Sequence, residues 1–141
     1  MNKVLFIIFL FLSTPLYAAE GELYIQGNAV KTMTLSLGTS SIDFGDVFTG
    51  STVDSIPVNF YVNAEDTYNY TVEISNDDSS GIVQMSRSLS TGYTGDSITY
   101  IETANGLDQR HDFYVDLATG NISGDLAATI TVMAVYNDIA G

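Results

Sequence analysis

Residues 126–136 read Leu126-Ala127-Ala128-Thr129-Ile130-Thr131-Val132-Met133-Ala134-Val135-Tyr136. One parity, Leu126, Ala128, Ile130, Val132, Ala134 and Tyr136, is wholly apolar. A period of two is the signature of a β-strand, because successive side chains leave opposite faces of the pleat. The other parity carries Ala127, Met133 and Val135 between threonines, so the run reads as a strand covered on both faces, a central one. The same period recurs upstream. Tyr68, Tyr70, Val72 and Ile74 share a face, as do Phe113, Val115 and Leu117. From 23 to 37 the odd positions are Leu23, Ile25, Gly27, Ala29, Lys31, Met33, Leu35 and Leu37. Lys31 interrupts that apolar set, so two strands meet near Val30-Lys31. Further strand candidates lie at 42–48, 52–62, 82–86 and 97–102.

Between these runs come breaks rich in Gly, Ser, Asn and Asp: 37–41, 76–81, 91–96, Asn105-Gly106 and Thr119-Gly120-Asn121. No stretch repeats at helical spacing. Seven or eight short strands with turn signals at this interval predict an antiparallel β-sandwich. Pro57 cannot donate to a ladder and belongs at an edge or a bulge.

The N-terminus is of another kind. Met1-Asn2-Lys3 supplies a positive charge, Val4–Leu12 is unbroken apolar, Ser13-Thr14-Pro15 breaks the run, and Leu16-Tyr17-Ala18 ends on a small residue. That order is a cleavable secretory signal over residues 1–18, and the apolar run is short of the roughly 20 residues of a bilayer span. An anchor kept in the mature protein is the alternative. The chain beyond Ala18 is of single-domain size.

Composition removes whole classes of function. Seventeen acidic residues face four basic ones, of which Lys3 lies in the signal. Nucleic-acid binding needs clustered Lys and Arg, and the rest of the chain has Lys31, Arg87 and Arg110 alone. There is no cysteine, hence no disulfide, thiolate nucleophile or thiolate metal site. His111 is the sole imidazole and no Gly-x-Ser-x-Gly elbow occurs, so a hydrolase is short of parts. The reading for His111 is an exposed or edge-strand histidine. Asn76-Asp77-Asp78-Ser79-Ser80-Gly81 looks like half of a calcium loop, but its twelfth position is Arg87 where a bidentate carboxylate is required. A polar hairpin turn is the simpler reading. No catalytic residue, metal ligand or cofactor is expected, and the chain is not read as an enzyme. Asn69-Tyr70-Thr71 and Asn121-Ile122-Ser123 match the glycosylation pattern, which matters only in a host that glycosylates. Nine tyrosines leave a second reading open, a secreted carbohydrate-binding β-sandwich module with Tyr24, Tyr61, Tyr93 and Tyr100 as stacking rings.

Three segments, in order, resemble one family. Gly21-Glu22-Leu23-Tyr24-Ile25-Gln26-Gly27-Asn28-Ala29-Val30 is similar to the N-terminal extension of chaperone–usher fimbrial subunits, the pilins. Ser41-Ile42-Asp43-Phe44-Gly45-Asp46-Val47 resembles the segment after their first domain strand. The run from Gly120 to Tyr136 resembles their Gly-rich turn and final alternating strand. The chain departs from the pattern in lacking cysteine, with Met33 about where a first one would fall, and in the five residues after Tyr136.

The resemblance implies an incomplete immunoglobulin-like sandwich completed by a donor strand. It implies a donor extension at 19–30 and a domain at 31–141. Leu23, Ile25, Gly27 and Ala29 would be the donor residues. Leu126, Ala128, Ile130, Val132, Ala134 and Tyr136 would edge the acceptor groove. Its partners would be identical or related subunits, a periplasmic chaperone and an outer-membrane usher, with a host surface or glycan further out. The place would be a fimbrium on the cell surface, reached through the periplasm. N-terminal sequencing of the exported protein should begin at Ala19, and a start at Met1 would mean the segment is retained.

Overall fold

A computed structural model describes residues 31–137, and these are all-β. The strands are β1 (Met33–Leu37), β2 (Ile56–Ala64), β3 (Asn69–Asn76), β4 (Val83–Ser86), β5 (Ile98–Thr103), β6 (Asp108–Leu117) and β7 (Ile130–Tyr136). A 3-10 turn comes after β6 at Thr119–Asn121. Two antiparallel sheets result, ordered β1-β2-β6-β4 and β5-β3-β7, an arrangement compatible with a β-sandwich. The signal segment 1–18, the extension 19–30 and the tail from 138 onward lie outside the described residues.

Alternation decides which side chains form the core. Val58, Phe60 and Val62 from β2 meet Phe113, Val115 and Leu117 from β6, with Val83 and Met85 from β4. The second sheet contributes Tyr70, Val72 and Ile74, each with no exposed surface. In the register, Phe60 pairs with His111 and Val58 with Phe113. The Phe60 and Phe113 rings meet edge-on with centroids 6.2 Å apart, one of the geometries that aromatic quadrupoles favour. Outward positions of the same strands are polar: Asn59, Asn63, Arg110 and Asp112. The Arg110 guanidinium bonds the Asp112 carboxylate at 2.8 Å on this face.

Several expectations need adjusting. The strand expected at 52–62 runs instead from Ile56 to Ala64, and 42–48 forms no strand at all. There Asp43 Oδ1 accepts the Gly45 N–H at 2.8 Å, and Gly45 takes a positive φ of 65°. An Asx turn of this kind satisfies the backbone locally and bends it out of any ladder. Pro57 does lie inside β2, paired with Tyr114. β1 has already ended opposite Phe60, so Pro57 sits where β2 has a neighbour on one side only. Tyr68 precedes β3 and is partly exposed, and its ring stands edge-on to Tyr136.

His111 requires the largest correction. It is buried, with only 6% of the residue exposed, although β4 pairs only with Tyr114–Leu117 and β6 has β2 alone beside it at His111. Its even spacing from Phe113 and Val115 would have put it on the inward face, and that parity prevails over its polarity. The imidazole stacks on Phe60 with centroids 4.9 Å apart.

Truncating the central ring should be costly. Phe60→Ala is expected to lose about 3–5 kcal/mol, against less than about 0.5 kcal/mol for the exposed Phe48→Ser. Urea unfolding monitored by tyrosine fluorescence measures both.

Candidate functional site

β7 carries the site, because only one of its edges is used. From Tyr70↔Tyr136 to Asn76↔Ile130 it pairs with β3, and among the described residues no strand lies along its other side. The central strand expected over 126–136 is therefore an edge strand of seven residues, with Leu126–Thr129 leading into it as irregular chain. An unpaired edge presents a row of free N–H and C=O groups.

The inward face of β7 is also incompletely covered. Ile130, Val132, Ala134 and Tyr136 pack against the core but are only half-buried. Their counterparts on β3 are fully enclosed. The same sheet thus has one finished strand and one unfinished strand side by side.

Beside β7 runs a groove of about 800 Å³. One bank is Leu126, Ala128, Ile130 and Val132; the other is the irregular segment 39–47, which turns Ile42, Phe44 and Val47 inward. The floor is the core itself: Val58, Val83, Phe113, Val115 and Leu117. The exposed Asp43, Asp46 and Asp125 also border it. Of the six residues expected to edge an acceptor groove, four line this one. Ala134 and Tyr136 continue the same inward face to the strand's end. The donor residues Leu23, Ile25, Gly27 and Ala29 lie outside the described residues.

Both banks are pinned at their ends. The far bank is held at its start by the Gly38 N–H on the Asn59 carbonyl at 2.9 Å. Beyond the bank, the Gly50 N–H meets the Thr119 carbonyl at 2.8 Å, and the Thr49 hydroxyl donates to the Ile122 carbonyl at 2.9 Å. β7 is tied at its start by the Thr129 N–H to Asp77 Oδ1 at 2.6 Å. At its end the Tyr136 hydroxyl donates to the Thr32 carbonyl at 2.8 Å and accepts from the Glu65 N–H at 2.7 Å. Close by, the Lys31 ammonium sits 3.5 Å from the centre of the Tyr68 ring, a favourable cation–π contact. The residue that broke the apolar alternation thus helps to anchor the start of the described chain. Fixed ends and an unpaired middle leave an open groove along the free edge of β7.

The polar features seen in the sequence do other work. Both His111 nitrogens face tyrosine hydroxyls, Tyr70 at 2.8 Å and Tyr100 at 3.0 Å, which leaves neither for a serine. The Asp78 carboxylate is drawn below the usual range by the Ser80 hydroxyl, with the Val83 N–H adding to it. It closes its own turn through Ser80 and Val83. No group of three or more His, Asp or Glu among the described residues could hold a metal ion. Of the candidate stacking rings, Tyr61 is on the outward parity of β2, Tyr93 donates to the Leu89 carbonyl at 3.0 Å, and Tyr100 faces His111 inside. These three do not form one strip, and Tyr24 lies outside the described residues.

Sequence reasoning missed the far bank and the floor. The far bank had one usable signal, the alternation of Ile42 and Phe44, which pointed inward correctly although no strand forms. No protein-family model matches the chain, and no curated protein matches it.

The unequal burial of neighbouring strands can be measured. Val72→Ala should cost about 2 kcal/mol and Val132→Ala less than half of that, since a half-exposed valine loses little. Chemical denaturation of the two variants in parallel tests this, and equal losses would mean the groove is already filled.

Proposed function

We propose that this chain is a structural fimbrial subunit that polymerises by donor-strand exchange. Its sandwich is immunoglobulin-like and lacks one strand, and the N-terminal extension of a neighbouring copy supplies it. The observation that carries this reading is the pairing of β7's unused edge with its half-buried inward face. β5 at the other edge of the sheet shares both features; on β7 they adjoin the groove, and that conjunction is what supports an added strand there.

The extension fits the vacancy in kind. In an extended conformation Leu23, Ile25, Gly27 and Ala29 would present a one-sided apolar face over a span of roughly 20 Å. That length is comparable to the seven residues of β7. Main-chain bonds to the free edge supply affinity in strand addition, and alternate side chains filling pockets supply register. The floor of Val58, Phe113 and Val115 would then be closed by the donor's leucine and isoleucine. Gly27 lets the backbone pass where a side chain would meet the floor. Capture by a periplasmic chaperone and hand-over at an outer-membrane usher fit the same chemistry, because an open groove needs a temporary strand during export. The surface filament would serve adhesion or biofilm formation. A carbohydrate-binding module is the second reading, with less support, since its described tyrosines are dispersed over both sheets.

Polymerisation should depend on the inward parity alone. Ile25→Asp or Gly27→Val should abolish heat-resistant ladders on a denaturing gel while leaving export intact, and Gln26→Glu should leave the ladders unchanged. Normal ladders from Ile25→Asp would remove the extension from the proposed role.

A further inference from the structure

A buried polar node links the two sheets, and it lies at the only histidine of the sequence. Gln109 fixes its direction. Its amide nitrogen donates to the Thr103 carbonyl at 3.1 Å, which turns its oxygen toward the Tyr70 hydroxyl at 3.3 Å. Tyr70 donates to that oxygen, so its own oxygen is left to accept from His111 Nε2 at 2.8 Å. Nδ1 then accepts from the Tyr100 hydroxyl at 3.0 Å. Every donor and acceptor in this chain is matched by a neutral imidazole carrying its proton on Nε2. Tyr70 belongs to β3, Tyr100 to β5 and His111 to β6, so the chain crosses the sandwich from one sheet to the other.

We propose that His111 is a proton-operated joint between the sheets, closed when neutral and loosened by acid. A second proton on Nδ1 would face the Tyr100 O–H, donor against donor, and the hydroxyl would have to turn away. The charge would also be held on a residue 6% exposed to water, a desolvation cost that the electron-rich face of Phe60 stacked on it offsets only in part. The charged and titratable groups around it divide. Glu102 on β5 and Asp112 on β6 favour the cation, while Arg87, just after β4, opposes it. Arg87 lies 3.6 Å over the Tyr100 ring and pairs with Glu102 at 3.5 Å, so it partly cancels that carboxylate. Burial outweighs the rest and holds the imidazole below its ordinary range. Burial likewise pushes both tyrosines up to about 12, so they stay protonated throughout.

Linkage sets the direction of the effect. A histidine whose folded value lies below its unfolded value of about 6.5 lends full stability above that pH. The contribution is lost as pH falls from about 6.5 through the folded value, and is level below it. β5 is the strand to loosen first, being an edge strand held by β3 alone.

The test uses the mature full-length chain, in whatever state of assembly it is isolated. Magic-angle-spinning NMR of protein labelled with [15N]histidine reads one residue without assignment. At pH 7.5 it should show Nε2 protonated and Nδ1 bare, with titration centred below 6.5. In parallel, the thermal unfolding midpoint should fall by at least about 4 °C between pH 7.0 and 5.0, and His111→Phe should flatten that fall. Titration at or above 6.5, or an equal fall in His111→Phe, would overturn the proposal. Where His111→Phe does not fold, the labelled wild-type titration decides. Neither readout depends on strand exchange, so failure of the joint leaves the fimbrial proposal standing, and the reverse holds.

Discussion

An edge strand leaves one row of N–H and C=O groups unpaired, and β7 combines such an edge with a half-buried apolar face beside the groove. The rest of the molecule is arranged around that shortfall. β3 encloses Tyr70, Val72 and Ile74 completely because β5 and β7 flank it and the opposite sheet lies beneath. One position further along the same sheet, Ile130 and Val132 remain half-buried because no described strand stands on their far side. The core beneath the groove is itself enclosed, with Phe113 and Val115 at most 2% exposed, and the incomplete cover is confined to the β7 side of the groove that runs over it.

The groove persists because its ends are tied and its middle is not. Tyr136 joins the end of β7 to Thr32 and Glu65, and Thr129 joins its beginning to Asp77. Across the gap, the Asx turn at Asp43 satisfies the backbone of 43–45 locally, so this segment does not pair with β7 and close the sheet itself. Asp43, Asp46 and Asp125, all exposed, lie along the groove.

A small core without disulfides must also hold its two sheets together by packing and by the little polar chemistry it can bury. Buried polar groups are tolerated only when every donor meets an acceptor. The chain from Tyr100 through His111 and Tyr70 to Gln109 meets that condition for one protonation state. It links β5, β3 and β6, and none of its members lines the groove. The open part of the molecule and its polar lock are thus separate features of one core.

The sequence by itself determined the fold class and most of the strand positions. Period-two alternation is a property of neighbouring residues, and the apolar parity of β2, β3, β6 and β7 could be read without knowing what lay opposite. The turns were equally legible: Asn105-Gly106 becomes a tight connection in which Gly106 has a φ of 72°. Two things depended on the tertiary structure alone. Residues 126–136 are largely apolar on both parities, which reads as a central strand, and only strand order revealed that one side is vacant. His111 carries a polar side chain, which read as exposed, and only the approach of Tyr70 and Tyr100 from another sheet made its burial tolerable. Local pattern specifies which face a side chain takes, because that is set by the backbone's own geometry. What covers the face, and what pairs with a buried nitrogen, comes from residues distant in the chain, and no periodicity encodes it.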